Sequence, residues 1–273
     1  MNYRHAFHAG NFADLVKHAC LLSVLSRLTA QATPLSVIDT HAGAGLYDLA
    51  GEEAAKSGEA AAGIVRLMAD AGAPVVFEAL KAAVGKANPA GGLRFYPGSP
   101  LLIAQALRKS DTLIACETRP DDLDRLRRNL IGPNLQVFGE DGYGAALKHM
   151  QAGRATLVHI DPPFEQADDY ARIAATVAGV LRRNNNATIM VWLPLKDLET
   201  FDAFLRTLES MQLPQTLVAE TRLRPLSDPM RMNGCALVIL NDPQGTEQDA
   251  MVAGDWIART LGEPGGEARI WRL

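Results

Sequence analysis

Short, almost wholly apolar runs alternate along this chain with longer stretches in which apolar residues return every three or four positions. The short runs have the length and composition of strands buried on both faces of a parallel sheet. The predicted strands of this kind are 35–39, 112–117, 135–138, 155–159 and 188–193. The periodic stretches predict helices, which are clearest at 12–28, 121–130, 168–182 and 198–211. This alternation indicates an α/β fold around a mostly parallel sheet.

The C-terminal part of the pattern is different. Two further apolar runs, 215–223 and 234–240, are joined by a short loop that carries Arg224 and Arg231. Strands joined this closely are expected to be antiparallel neighbours. The end of the chain, 253–273, predicts a short helix followed by an edge strand.

A helical insertion interrupts the alternation of strands and helices. Residues 47–94 are rich in Ala, Gly and Glu, show helical periodicity at 60–71 and 75–86, and contain no strong strand candidate. We interpret 47–94 as a small inserted helical subdomain. The main domain is then expected to comprise 1–46 and 95–273, with the polar segment 1–11 close to the substrate.

Composition excludes several classes of protein. Of the 273 residues, 48% are hydrophobic and 21% are charged, which is ordinary for a globular domain and unlike a disordered chain. No apolar run approaches the length of a membrane span, and the N-terminus has no signal-peptide core. We therefore expect a cytoplasmic protein that does not contact a membrane. Its three cysteines are far apart in apolar segments, so we predict reduced core residues and no metal site.

The charge distribution bears on nucleic-acid binding. A net charge of −4 argues against a large nucleic-acid footprint, because phosphate contacts require a basic surface. A local basic patch remains compatible with that total. Three histidines, Arg4 and Lys17 fall within the first 18 residues and predict such a patch near the N-terminus.

The strongest chemical signal is Asp161-Pro162-Pro163-Phe164, directly after a predicted strand. The prolines end the strand and form a rigid turn at the sheet edge where α/β proteins bind ligands. This set suits methylation of an exocyclic base amine, which is a poor nucleophile because its lone pair is delocalised. Hydrogen bonds to the Asp161 carboxylate and the Pro162 carbonyl would strengthen as positive charge develops on the nitrogen. Phe164 would stack on the base, a contact worth roughly 1–3 kcal/mol.

Polar residues follow the other predicted strands at the same edge. Asp39 precedes a Gly-x-Gly turn at Gly43 and Gly45, Glu117 ends the second strand, and Asp141-Gly142 follows the third. A glycine turn lets a ligand approach the backbone, and a strand-end acid can accept from ribose hydroxyls. Each feature alone is also compatible with an ordinary tight turn or a strand-end acid. Ser99 is predicted to cap a helix that starts with Pro100, with or without contact to a ligand.

Taken together, these motifs resemble class I S-adenosyl-L-methionine-dependent amino-methyltransferases. Within that class the chain resembles the RlmJ family of bacterial 23S ribosomal RNA adenine-N6 methyltransferases. The segments that carry the resemblance are 3–5, 7–11, 17–18, 39–45, 96–100 and 227–228, together with the insertion after the first glycine turn. The resemblance implies a Rossmann-like, mostly parallel, seven-stranded sheet with one antiparallel strand and a small inserted helical subdomain.

The resemblance also implies roles for individual residues. The residues expected to contact the cofactor S-adenosyl-L-methionine are His18, His41, Ser99, Glu117, Asp141, Gly142 and Asp161. Asp161 is expected to be catalytic, and the residues expected near the substrate base are Tyr3, Arg4, Pro162 and Phe164. The family's usual tyrosine is Phe164 here, so stacking is kept and any role of a phenolic hydroxyl is lost.

The expected partner is 23S ribosomal RNA, and we expect a monomer. The segment around Tyr3 and Arg4 is predicted to close over a flipped adenine, and the insertion and the 224–231 loop are predicted to hold flanking RNA. Two alternatives remain from the sequence. One is a DNA adenine-N6 methyltransferase, since the Asp-Pro-Pro-aromatic turn is shared, and the other is a non-catalytic RNA-binding module.

Overall fold

The computed structural model describes residues 4–196, 198–226 and 231–273. The strands within these ranges are β1 Leu35–Asp39, β2 Leu46–Asp48, β3 Phe95–Pro97, β4 Thr112–Cys116, β5 Leu135–Phe138, β6 Ala155–Ile160, β7 Thr188–Leu195, β8 Thr216–Arg222, β9 Gly234–Leu240 and β10 Glu267–Arg272. The helices are α1 Phe12–Thr29, α2 Glu52–Ser57, α3 Glu59–Ala62, α4 Ile64–Ala69, α5 Glu78–Ala87, α6 Ser99–Ala106, α7 Pro120–Asn129, α8 Gly142–Lys148, α9 Asp169–Arg183, α10 Leu198–Glu209 and α11 Thr246–Thr260. None of these helices is long and apolar enough to cross a membrane.

The central sheet has eight strands in the order β10-β8-β9-β7-β6-β1-β4-β5. From β5 to β7 all neighbours are parallel, whereas β9 runs antiparallel to β7 and β8, and β10 runs antiparallel to β8. The prediction of a mostly parallel α/β sheet is confirmed, as is the antiparallel pairing of the two late strands. The sheet contains one strand more than the predicted seven, because the C-terminal edge strand β10 joins it and is the second antiparallel strand.

Helices cover both faces of the sheet and bury two apolar layers. The first layer contains the apolar residues of α1, α5, α6 and α11, and the second contains those of α8, α9 and α10. Strands β4 and β6 flank β1 on opposite sides, so the strand order diverges at β1. Ligands in open α/β sheets bind beyond the carboxyl ends of the strands at such a point. The turns after β1, β4 and β6 therefore meet at one edge.

Helix α1 is buried along nearly its whole length, which differs from the predicted amphipathic helix. Asn11 caps it, with its side-chain oxygen accepting from the backbone N–H of Asp14. Asp14, Lys17 and His18 are only 1%, 4% and 1% exposed. The reason is that α1 packs against α5, α6 and α11 as well as against β9.

The segment between β2 and β3 is helical, as its periodicity predicts, and contains α2 to α5. Unlike the sequence prediction, it begins and ends in a short antiparallel ribbon, because β2 pairs with β3. The side chains of Ile64, Leu67, Phe77 and Leu80 are fully buried in the same apolar layer as α1. The insertion thus shares its core with the main sheet, and the division into two domains stays a prediction.

Candidate functional site

A cleft of about 670 Å³ opens at the carboxyl ends of β1, β4, β6 and β7. Nine of the predicted site residues line it: His18, His41, Ser99, Glu117, Asp141, Gly142, Asp161, Pro162 and Phe164. The structure thus brings together residues that are up to 146 positions apart in the sequence, from His18 to Phe164. Tyr3 and the 227–228 motif lie outside the described residues.

Arg4 is not among the residues that line the cleft. Its guanidinium forms an ion pair with Glu53 at 3.1 Å and lies 4.0 Å from Asp121. The neighbouring His5 does line the cleft and contacts Asp14 at 3.0 Å, and His8 contacts Glu59 at 2.9 Å. The predicted positive patch of the N-terminus is therefore largely compensated by carboxylates.

Asp161 lies directly after β6 and forms a buried ion pair with Lys17. The ammonium of Lys17 is 2.6 Å from Oδ2 of Asp161 and 2.8 Å from Oδ1 of Asp14. Burial acts to lower the pKa of Lys17, but the Asp14 and Asp161 carboxylates outweigh it and raise the pKa above its ordinary value. Lys17 is therefore a permanent cation beside the proposed catalytic carboxylate. The sequence interpretation missed this role, although an Asp and a Lys three residues apart in an otherwise apolar helix were a usable signal.

The glycine turn after β1 and the acid after β4 are joined directly. The backbone N–H of Gly43 donates to Oε2 of Glu117 at 3.0 Å, and that of Arg119 donates to Oε1 at 2.7 Å. Gly43 has a φ of 60°, which favours glycine. Burial raises the pKa of Glu117 above its ordinary value despite these two donors. The Glu117 carboxylate is thus fixed in position at the cleft wall by two backbone N–H donors.

Ser99 is positioned by a fully buried carboxylate. Its hydroxyl donates to Oδ2 of Asp39 at 2.7 Å, while Nδ1 of His159 lies 3.3 Å from Oδ1 of the same group. The cap of α6 is Gly98, so Ser99 is the first helical residue and does not cap the helix as predicted. Because the Ser99 hydroxyl already donates its hydrogen to Asp39, the Ser99 oxygen is left as an acceptor for a group in the cleft.

The Asp141-Gly142 pair begins α8 and forms another wall of the cleft. Asp141 accepts from the backbone N–H of Gly144 at 3.1 Å and from Nη2 of Arg172 at 2.6 Å. The Arg172 guanidinium also lies 4.3 Å from the centre of the Tyr143 ring. A Cβ on Gly142 would lie 1.9 Å from the carbonyl oxygen of Thr40, so this position has room only for glycine. Arg172 was not predicted, and its distance from Asp141 in sequence gives no local signal.

His18 and His41 are uncharged at neutral pH. Burial lowers the pKa of His41 to about 4 and lowers that of His18 well below its ordinary value. Nδ1 of His18 lies 2.7 Å from the Tyr96 hydroxyl, and Nδ1 of His41 lies 2.7 Å from Oγ1 of Thr40. Both imidazoles therefore contribute hydrogen-bonding groups and no positive charge to the cleft.

Aromatic rings form the wall beyond the Asp161 turn. Phe164 has a φ of 53°, a left-handed conformation that costs of the order of 1–3 kcal/mol for a non-glycine residue. Its ring centre is 5.0 Å from that of Tyr170 and 5.9 Å from that of Trp192. Pro162, in the same turn, is buried and lines the cleft. The strained turn thus presents an aromatic surface next to the Asp161 carboxylate.

Comparisons with known proteins show the family to which the chain belongs. The family model described as ribosomal RNA large subunit methyltransferase D, RlmJ, matches residues 32–273. The chain is 32% identical over 263 residues to ribosomal RNA large subunit methyltransferase J of Escherichia coli (strain K12), which covers 96% of this chain and 94% of that protein. Its identity to the Haemophilus influenzae protein of the same name is 31% over 264 residues, with the same coverage.

A solved structure extends the similarity to the fold. A protein from Legionella pneumophila str. Philadelphia 1 superposes with a TM-score of 0.88 at 26% identity, over 97% of this chain and 98% of that one. The match of the family model and both sequence relatives confirms the resemblance stated from the motifs. The chain therefore belongs to the RlmJ family of ribosomal RNA large subunit methyltransferases.

Proposed function

We propose that this protein methylates the exocyclic N6 of one adenine in 23S ribosomal RNA, with Asp161 and Pro162 as the groups that contact the amine. Family membership supports an S-adenosyl-L-methionine-dependent methyltransferase that acts on ribosomal RNA. The observation that carries the finer proposal is the position of the Asp161-Pro162-Pro163-Phe164 turn in the same cleft as Glu117 and Asp141. A cytoplasmic location and a monomeric state are part of this proposal.

The residues of the cleft fit S-adenosyl-L-methionine, which supplies an electrophilic methyl group on a sulfonium cation. Carboxylates outnumber lysines and arginines among the cleft-lining residues, and His18 and His41 are neutral. Glu117 would accept from the ribose hydroxyls and Asp141 from the adenine amine. Ser99, whose hydroxyl donates a hydrogen bond to Asp39, would accept from a donor of the cofactor. Gly142, which has no side chain, would let the cofactor approach the backbone closely.

Asp161 forms an ion pair with Lys17 at 2.6 Å, and this contact changes what the carboxylate can do. One carboxylate oxygen, Oδ2, is taken by the Lys17 ammonium, so Oδ1 is left to accept from the substrate amine. The Pro162 carbonyl is the second acceptor. These two acceptors would favour a pyramidal amine and stabilise the positive charge that develops on it. Lys17 also offsets part of the negative charge of Asp161. The positively charged cofactor would therefore be bound less tightly in the ground state than beside an unpaired carboxylate.

The substrate base must leave its helix to reach Asp161. The N6 amine of a paired adenine is engaged with its partner base, so the target must be unpaired or flipped outward. Phe164 and Trp192 provide an aromatic wall on which the base can stack. Tyr3 and the 224–231 loop remain proposed contacts to the base and to the flanking RNA.

The test compares Asp161→Asn with the matched control Asp202→Asn, which changes an exposed carboxylate on α10. Labelled methyl transfer to unmethylated 23S ribosomal RNA is measured, and the product nucleoside is identified by mass spectrometry. Asp161→Asn should lower kcat by about 10²–10³-fold while cofactor affinity stays within a few-fold. Asp202→Asn should match the wild type. Full turnover by Asp161→Asn would reject its role, and methylation of duplex DNA alone would reject the RNA substrate.

A further inference from the structure

We propose that Lys196 binds a backbone phosphate of the RNA strand beside the target nucleotide. This inference rests on the proposed RNA methyltransferase function and adds to it a contact on the rim of the cleft. Lys196 directly follows β7, is exposed, and is among the cleft-lining residues. No sequence motif had indicated a role for Lys196.

The strand geometry places Lys196 on the same wall as the aromatic surface. Alternate residues of a strand point to the same face. Trp192, Pro194 and Lys196 follow that spacing, and all three line the cleft. With a rise of about 3.3 Å per residue, the wall extends roughly 13 Å from Trp192 to Lys196. It therefore leads from the rings that would stack on the base to a cation at the mouth, as a base and its adjoining backbone require.

The backbone at Lys196 is held in place by Asn233, the residue before β9. The backbone N–H of Asn233 donates to the carbonyl of Leu195 at 2.9 Å, and its side-chain Nδ2 donates to the carbonyl of Lys196 at 3.2 Å. The ammonium therefore extends from a fixed point on the rim, and only its side chain has to adapt to a phosphate.

The charge environment singles out Lys196 among the cleft-lining cations. Lys17 is paired with Asp14 and Asp161. Arg119 and Arg172 lie 3.3 Å and 2.6 Å from the carboxylates of Asp122 and Asp141. Within the described part of the chain, Lys196 is the one lysine or arginine of the cleft that has no carboxylate within ion-pair distance.

An acidic cleft that receives a polyanion needs such a cation. The inner walls carry an excess of carboxylates, which suits a positively charged cofactor and repels phosphate. A phosphate next to a base stacked inside must therefore stay at the rim. A free ammonium there is the partner that phosphate requires, and a lysine serves it as a point charge.

The test measures binding and methylation of unmethylated 23S ribosomal RNA by Lys196→Gln, with Lys196→Arg as the charge-conserving variant. Lys109→Gln is the matched control, since Lys109 is also exposed but precedes β4 at the opposite edge of the sheet. Lys196→Gln should raise KM for RNA by about three- to tenfold and reduce the slope of log affinity against log salt by about 1. Its kcat and its affinity for S-adenosyl-L-homocysteine should not change.

Lys196→Arg should keep the wild-type salt slope, and Lys109→Gln should match the wild type throughout. An unchanged salt slope in Lys196→Gln would overturn the phosphate contact, as would a loss of S-adenosyl-L-homocysteine affinity equal to the loss of RNA affinity. Failure of the proposed function has a different signature, because the wild type itself would then transfer no methyl group to the RNA.

Discussion

The ammonium of Lys17 lies 2.6 Å from Oδ2 of Asp161, although the two residues are 144 positions apart in the sequence. Their side chains are 5% and 14% exposed. Helix α1 therefore delivers a fixed cation to the turn after β6, and Asp14 on the same helix shares it at 2.8 Å. The carboxylate proposed to contact the substrate amine is thus part of a buried network that spans two distant segments of the chain.

Removal of Lys17 should cost stability as well as activity. In Lys17→Met, Asp14 and Asp161 lose their shared cation, and breaking a buried ion pair in this way costs about 3–5 kcal/mol. The added change Asp161→Asn removes one uncompensated charge, so Lys17→Met/Asp161→Asn should be more stable than Lys17→Met alone. Urea unfolding of the wild type, both single variants and the double variant gives the coupling energy. Additive free energies would show that the two groups do not interact.

The Lys17 pair also shows where sequence reasoning ends. The turns at Asp39, Asp141 and Asp161 were predictable because each follows a local apolar run and carries its own Gly or Pro signal, and Glu117 was predictable because it ends such a run. The burial of Lys17 was not, because it depends on α5, α6 and α11 packing around α1. A helix enclosed on several sides has no polar face to detect, so its charged residues look like surface residues in the sequence.

Residues that act through distant partners were missed for the same reason. Arg172 meets Asp141 only because α9 packs beside α8, and Lys196 reaches the cleft only because β7 continues past the end of its pairing with β6. The edge strand β10 was expected from the sequence. Its pairing with β8 depends on the return of the chain after α11, which no local pattern encodes.

The pKa of His41 predicts how stability depends on pH. Burial lowers this pKa to about 4, against the attraction of Asp161, Asp39, Asp169 and Asp141. Between pH 6.5, the ordinary pKa, and about pH 4, His41 binds a proton in the unfolded chain and not in the folded chain. The free energy of unfolding should therefore fall as the pH falls through this window. His41→Gln should show a shallower fall from pH 7 to pH 5 in urea titrations, and an identical pH dependence would contradict the assignment.

Arg172 is predicted to set the position of the Asp141 carboxylate. The Arg172 and Asp141 side chains are 35% and 49% exposed, and an exposed ion pair contributes about 1 kcal/mol or less, so Arg172→Met should weaken cofactor binding by up to about fivefold. Arg182→Met, an exposed change on the same helix, is the control. Calorimetry should give equal losses for S-adenosyl-L-methionine and S-adenosyl-L-homocysteine, because Asp141 is proposed to contact the adenine that both share. A loss confined to the sulfonium compound would place Arg172 at the other end of the cleft.

Two glycines at the start of α8 allow a matched test of the close approach to β1. In Gly142→Ala the new Cβ would meet the carbonyl oxygen of Thr40 at 1.9 Å, so backbone has to move. Overpacking of this kind typically costs 1–3 kcal/mol, and the movement would also displace Asp141. In Gly144→Ala the nearest atom to the new Cβ is Oδ2 of Asp141 at 3.5 Å, an ordinary contact.

Gly144→Ala should therefore be neutral or stabilising, because alanine in a helix is favoured over glycine by roughly 0.5–1 kcal/mol. Gly142→Ala should lower the free energy of unfolding and weaken binding of S-adenosyl-L-homocysteine. The two variants add the same methyl group two residues apart, so any general effect of that group on α8 appears in both. Thermal unfolding and calorimetry of the pair separate the local clash from that general effect. Equal behaviour of the two variants would show that the contact between Gly142 and Thr40 does not restrict this position.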